Sequence, residues 1–335
     1  MKKNRRISLA GTLCGIALAL SLLVSGCSIG GKEVVVSEAM TNRQLFKIGT
    51  TTCSLKEAKV YLVNYQNIYG TAYGLNLWEH DFGDDSLKDY VKNITMQELT
   101  QVISMDQLAK SRELELSEEE KNQMAQAAEE YFATLTEEEK EYMGVSESDI
   151  RDYYEHYALA QKLYTSLTGA VNEEVSDDEA RVMELMQIYV SDSTKADEVA
   201  AKLAAGEDFA SVANNYNEAG SIQITASRDD LPAEVSAAAF QMDNDQMSGK
   251  IEAENGFYFV KCLNKYNQEL TEANKTNIVE KREKEAVDDV YNEYTESLTS
   301  SINEKVWNAL EPETGSGMQT DSFFETFHHY WNLQE

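Results

Sequence analysis

The chain is poor in the residues around which most enzymes and metal proteins are built. Among 335 residues there are four histidines and four cysteines, with no Cys-x-x-Cys, no His-x-x-x-His and no glycine-rich phosphate loop. That shortage argues against a zinc site, a nucleotide site and a histidine-dependent hydrolase, and calls for no metal and no cofactor. His80 and His156 are isolated and His328 and His329 sit together near the end, so none is read as a ligand. Two prolines and 17 glycines are too few for a proline-rich array or a turn-dense β-sandwich. Positive charge is scarce as well: 29 Lys and Arg face 59 Asp and Glu, a formal net charge of −30. Lys2, Lys3, Arg5 and Arg6 stand in an acid-free start, so the balance from Cys27 onward is −34. Such a surface repels nucleic acid and anionic headgroups and favours cationic or neutral partners. The plainer alternative is that the acidity only keeps a secreted protein soluble.

What is present is a hydrophobic content of 42% with 9% aromatics, enough for two modest domains with real cores. The first 27 residues read as an export signal, with a basic start followed by an apolar run from Ile7 to Val24. Val24-Ser-Gly-Cys27 resembles the lipobox of bacterial lipoproteins, which would make Cys27 a lipid-bearing N-terminus anchored outside the cytoplasmic membrane. The alternative is an uncleaved helix, since the run is near the shortest length for a span. Removing Cys14 and lipidating Cys27 leaves Cys53 and Cys262, which could pair or remain buried thiols; spacing does not decide.

Residues 28–50 read as a tether, and helices dominate from there to 175. Their starts carry a hydroxyl residue with an acid three positions on, the capping-box signature. Ser54 with Glu57, Ser117 with Glu120, Thr136 with Glu139, Ser146 with Asp149 and Ser176 with Glu179 all fit it. Apolar stripes at helical spacing (Leu87, Val91, Ile94, Val102, Ile103, Leu108; then Ile150, Tyr154, Tyr157, Leu163) predict helices over 86–114 and 149–168 that pack on one another. One long helical stretch is expected from Thr271 to Leu310. It cannot bury Val287, Val290, Leu298 and Val306 alone, so it is expected to return to the N-terminal helices. The tail, 312–335, is unusually aromatic through Phe323-Phe-Glu-Thr-Phe-His-His-Tyr-Trp331. It reads either as an end clinging to its own domain or as a segment occupying a peptide-binding surface.

Between these helical parts, residues 176–268 form the one stretch of α+β pattern. Strands are expected at Met183–Val190, 221–225 and 256–263, and helices at 194–205, 208–216 and 231–240. Gly206 suits a helix stop. This order, with Gly206-Glu-Asp-Phe-Ala210 after the first helix and Gly256-Phe-Tyr-Phe-Val-Lys261 at the close, resembles the parvulin-type peptidyl-prolyl isomerase domain. With the lipobox, the helical domain and the returning helix, the whole chain resembles the PrsA-type foldase lipoproteins and the related SurA-type chaperones. The resemblance implies an α+β fold: a mainly helical chaperone domain over 51–175, completed by 269–311, with the parvulin-like domain inserted.

It also implies site positions. The family's two histidines fall on Gln187 and Tyr258, and its cysteine or aspartate falls near Glu218 and Ala219. Its pocket methionine and phenylalanine fall on Leu231 and Val235, with Phe240 as a core aromatic. The family's glycine-rich loop is missing between Ser221 and Leu231. The resemblance therefore implies a substrate pocket of Leu231, Val235 and Phe240 beside a polar cluster of Gln187, Tyr258 and Glu218. The expected partners are unfolded or newly exported proteins and their X-Pro segments, the membrane through Cys27, and a second copy as an open expectation; nucleic acid is not expected. Three functions compete: an extracytoplasmic membrane-anchored foldase with isomerase activity, a holdase without catalysis, and a solute-binding lipoprotein, for which repeated strand–helix units would be needed.

Overall fold

The computed structural model describes residues 40–70, 78, 86–313 and 317–331. The export segment with Cys14 and Cys27, the first part of the stretch read as a tether (28–39) and His80 lie outside the described residues. In chain order the elements are β1 (Gln44–Ile48), β2 (Thr51–Ser54), α1 (Leu55–Gly70), α2 (Leu87–Ser111), α3 (Glu118–Thr134), α4 (Glu137–Met143) and α5 (Glu147–Thr168). Then come α6 (Asp177–Ala180), β3 (Met183–Val190), α7 (Ser193–Ala204), α8 (Phe209–Tyr216), β4 (Gln223–Ala226), α9 (Ala233–Ala239), β5 (Ile251–Ala253) and β6 (Gly256–Asn264). The chain closes with α10 (Gln268–Glu296), β7 (Ser300–Ile302), α11 (Glu304–Ala309) and α12 (Phe323–Trp331). This α+β chain divides into two compact units, one running to Ala170 and resuming at Glu285, the other spanning Val171–Lys284.

In the helical unit the capping residues act as their spacing suggests. Ser117, Thr136 and Ser146 each accept from the backbone N–H three residues on, and Glu120, Glu139 and Asp149 reach back to the cap N–H. Each such pair satisfies two donors that the first helical turn leaves open. Ser54 accepts from the N–H of Glu57 in the same way. The core is continuous, with Tyr61, Leu62, Leu99, Ile103, Met124, Tyr131 and Tyr154 buried together.

Two features differ from the sequence reading. Residues 44–48, inside the stretch read as a tether, form β1, and its Leu45 and Phe46 are buried. The expected helix to Leu310 stops at Glu296, because Ser300–Ile302 extends and pairs antiparallel with β1, Ile302 opposite Phe46. The result is a three-stranded sheet in the order β2-β1-β7. Serine and threonine crowding at 297–301 favours this break, since their side chains compete with helical hydrogen bonding.

The aromatic tail is part of this core. Phe323 and Phe327 on α12 have no exposed surface, and Phe323 stacks on Tyr154 at 4.4 Å between ring centroids. Polar groups hold the chain leading into it: Glu139 accepts from the N–H groups of Gln319 (2.6 Å) and Thr320 (2.7 Å). Asn64 accepts from the N–H of Phe323, and Tyr154 donates to its carbonyl. Full burial with paired backbone groups favours the first reading of the tail, an end bound to its own domain.

The second unit is a four-stranded antiparallel sheet in the order β4-β3-β6-β5. The central strand β3 is apolar on both sides because both of its faces are covered. Met183 and Leu185 face α9 with Val235, Ala239 and Phe240, together with Val260 and Cys262 from β6. Met186, Ile188 and Val190 face α7 and α8 with Ala196, Val199, Phe209 and Val212. Gln187 and Tyr189 continue the α9 side by the two-residue period of a strand. Cys53 and Cys262 are buried free thiols.

Candidate functional site

At the end of the α9 face a cleft of about 430 Å³ opens over the sheet. Its wall is built from β3 (Gln187, Tyr189), β6 (Tyr258), the 217–222 loop (Glu218, Ala219), β4 (Ile224, Thr225, Ala226) and the lead-in to α9 (Asp230, Leu231, Pro232). Antiparallel pairing sets Tyr189 opposite Tyr258, and the two rings lie 5.0 Å apart. Gly256 makes that register reachable. Its φ is +143°, and a Cβ there would lie 2.8 Å from both the Tyr189 ring and the Val190 carbonyl, a position open only to glycine.

The polar groups are oriented by their neighbours. Gln187 donates through Nε2 to the Ser221 carbonyl at 3.0 Å, which turns its Oε1 away from that bond. Tyr258 accepts from the Asn255 side-chain amide at 2.9 Å, while the Tyr189 hydroxyl donates to the Asn255 carbonyl at 2.7 Å. Because the Tyr258 oxygen already serves as acceptor, its own proton remains available to donate. Asn217 fixes the loop that carries Glu218, accepting from the N–H of Tyr189 and donating to the Ala219 carbonyl.

Glu218 is held differently. One oxygen takes Lys195 at 2.6 Å; the other takes the Ser191 hydroxyl at 2.7 Å and its N–H at 2.9 Å. The hydrogen bond from Lys195, followed by those from Ser191, holds its carboxyl down to about 2. A carboxylate so satisfied stays ionised at neutral pH and is a poor proton carrier.

Gln187, Tyr258, Glu218 and Leu231 therefore come together at one cleft. Val235 and Phe240 do not line it. Val235 has no exposed surface and Phe240 lies in the core beneath, flanked by the Arg181 and Arg228 guanidinium groups at 5.1 and 4.6 Å from its ring centre. They point inward because α9 buries one face and presents only its N-terminal end to the cleft. Pro232, Asp230 and Tyr189 were not among the expected residues. Tyr189 was readable from the sequence, two positions from Gln187 on the same strand face. In place of a glycine-rich loop, Arg228–Asp230 makes a single 3₁₀ turn in which the Ser227 N–H and hydroxyl both bind Asp230 at 2.7 Å.

Residues 145–275 match the family described as the PPIC-type PPIASE domain. The chain is similar to foldase proteins named PrsA. It is 23% identical over 280 residues to the foldase protein PrsA of Caldanaerobacter subterraneus subsp. tengcongensis, covering 73% of this chain and 81% of that one. It is 25% identical over 205 residues to the foldase protein PrsA of Halalkalibacterium halodurans, covering 54% and 61%. Among solved structures it is similar to the peptidylprolyl isomerase PrsA from Bacillus cereus, at 18% identity, covering 74% of this chain and 96% of that one with a TM-score of 0.42. At that level of likeness the α+β assignment of this chain rests on its own strand order and helix placement.

Proposed function

We propose that this chain is an extracytoplasmic foldase that binds extended segments of newly exported proteins, tethered to the membrane by lipid on Cys27. In this reading the 430 Å³ cleft receives an X-Pro segment and speeds its isomerisation weakly. The observation that carries it is the meeting of Gln187, Tyr258 and Leu231, at positions the parvulin resemblance marks, in one cleft of a PPIC-type domain.

Rotation about an X-Pro bond faces a barrier of roughly 20 kcal/mol and requires no covalent step. Twisting the amide uncouples the nitrogen lone pair from the carbonyl, so the nitrogen becomes a better hydrogen-bond acceptor. A donor that meets it only in the twisted state lowers the barrier. Tyr258 supplies that donor, with Asn255 holding its oxygen, and Leu231, Pro232 and Ile224 provide an apolar wall for the proline ring. One hydrogen bond gained selectively on twisting, about 1.4 kcal/mol, corresponds to about tenfold in rate. Tyr258→Phe should therefore slow isomerisation of a Pro-containing peptide by about tenfold.

The holdase reading keeps one specific support: Glu218 is locked in its ion pair, and Gln187 and Tyr258 stand at the positions where the resemblance would put histidines. An isomerase assay and a client-aggregation assay on one preparation separate the two. Loss of turnover in Tyr258→Phe with unchanged suppression of aggregation supports a two-function foldase. No turnover in the parent chain, with suppression intact, leaves the holdase.

A further inference from the structure

Among the described residues the walls of the cleft carry two acids, Glu218 and Asp230, and no lysine or arginine. Nearby charges are largely consumed by one another. Glu218 is neutralised by Lys195, Asp229 is paired with Lys281 at 2.6 Å, and Arg228 is paired with Asp178 at 2.9 Å. Asp230 is the exception. Both hydrogen bonds from Ser227 end on its Oδ2, and among the described residues neither a cation nor a donor meets its Oδ1. The 3₁₀ turn fixes this carboxylate immediately before Leu231 and Pro232, at the edge of the apolar wall.

We infer that Asp230 is a specificity residue that selects proline segments carrying a lysine or arginine beside the proline and rejects those carrying an acid there. The inference rests on the reading of the cleft as an X-Pro site. A cationic side chain lying along the cleft rim reaches Oδ1 without displacing an existing partner. An acidic one meets an uncompensated negative charge in a cleft whose described walls carry no lysine or arginine. At a partly solvated rim such an interaction is modest, about five- to tenfold between opposite charges, and it weakens as salt shortens the screening length.

The test uses the full chain with three peptides that differ only in the residue before proline: lysine, leucine or glutamate. Affinity is measured by NMR titration, and kcat/KM by a protease-free isomerase assay, each at 20 mM and 500 mM salt. The expected order is lysine, leucine, glutamate, with the lysine-to-glutamate ratio about tenfold at low salt and about twofold at high salt. Asp230→Asn should bring the ratio below twofold, and Asp230→Lys should invert it. Equal handling of all three peptides by the unmodified chain overturns the inference and leaves the X-Pro reading standing. Failure of all three to bind overturns both. Should Asp230→Lys fold poorly, the near-isosteric Asp230→Asn decides the matter, because it removes this one carboxylate and leaves the rest of the chain's negative charge in place.

Discussion

Glu98 illustrates how a single side chain sets the acid–base behaviour of the helical unit. It sits on α2 near Tyr61, Tyr65 and Tyr157, and burial pushes its carboxyl up to about 7 from 4.5. The folded chain thus holds a proton there that the unfolded chain releases earlier. Its contribution to stability is full below pH 4.5, falls as the pH rises and is lost above 7. Glu98→Gln should therefore remove that slope and leave the helical unit about 1–3 kcal/mol more stable than the parent at pH 8, with little difference at pH 4. Urea midpoints of both proteins at the two pH values measure this; a parallel offset at both would dismiss burial as the cause. His156 bends the curve the same way. Burial opposes its charge, but the hydrogen bond to Glu57 and that residue's charge prevail, so its pKa is raised. The stability it adds is present at acidic pH and lost as the pH rises through its folded value.

Val235 shows what the resemblance could not reveal at this scale. The sequence placed it in a pocket, yet its side chain lies wholly in the core between α9 and the sheet. Val235→Asp should unfold the second unit, costing about 3 kcal/mol or more for a buried unpaired carboxylate, before it reports on substrate. Leu231→Asp, at the cleft wall, is the substitution that should weaken peptide binding while the near-ultraviolet spectrum stays native.

Among the elements, those governed by local rules were the most legible. Capping boxes at Ser117, Thr136 and Ser146 announced three helix starts because both partners lie within four residues. β3 was legible as an apolar run, and its two buried faces explain why the run lacks alternation. The strands β1, β2 and β7 were not read: β1 and β2 form a short hairpin of four or five residues a side, and β7 has a non-local partner, Ile302 meeting Phe46 across more than 250 residues. A three-residue strand carries too little pattern to identify such a partner. The tail helix α12 lay between these cases, its aromatic content visible and its destination not. Phe323→Ala removes a ring packed against Tyr61, Tyr131 and Tyr154 and should destabilise the helical unit by about 3–5 kcal/mol. A denaturation midpoint unchanged from the parent would mean that α12 is not core.

On the scale of the whole molecule, the chain leaves its helical unit after Ala170 and resumes it at Glu285. Where the second unit begins and ends, Arg282 joins the two ends, donating to the carbonyls of Asn172 (2.6 Å) and Glu174 (3.1 Å) and pairing with Glu179. The second unit is thus tied together at its own two ends, and its cleft is built from its own residues. Glu218, Tyr258 and Asp230 variants should leave the thermal transition of the helical unit within the ±0.5 kcal/mol typical of uncoupled sites.

The late position of α12 has a consequence for how the molecule comes into being. Tyr61, Tyr131 and Tyr154 are made early, and the phenylalanines that cover them arrive some 170 to 260 residues later, after the whole second unit. Until then a growing chain holds an open aromatic groove, with the side-chain amide of Asn64, the carboxylate of Glu139 and the hydroxyl of Tyr154 still without the main-chain partners at 319–323. Contacts of such sequence separation form slowly and leave apolar surface exposed while they wait. A protein read as an assistant to nascent chains thus passes through the same vulnerability itself, and the last turns of its own sequence bring that interval to an end.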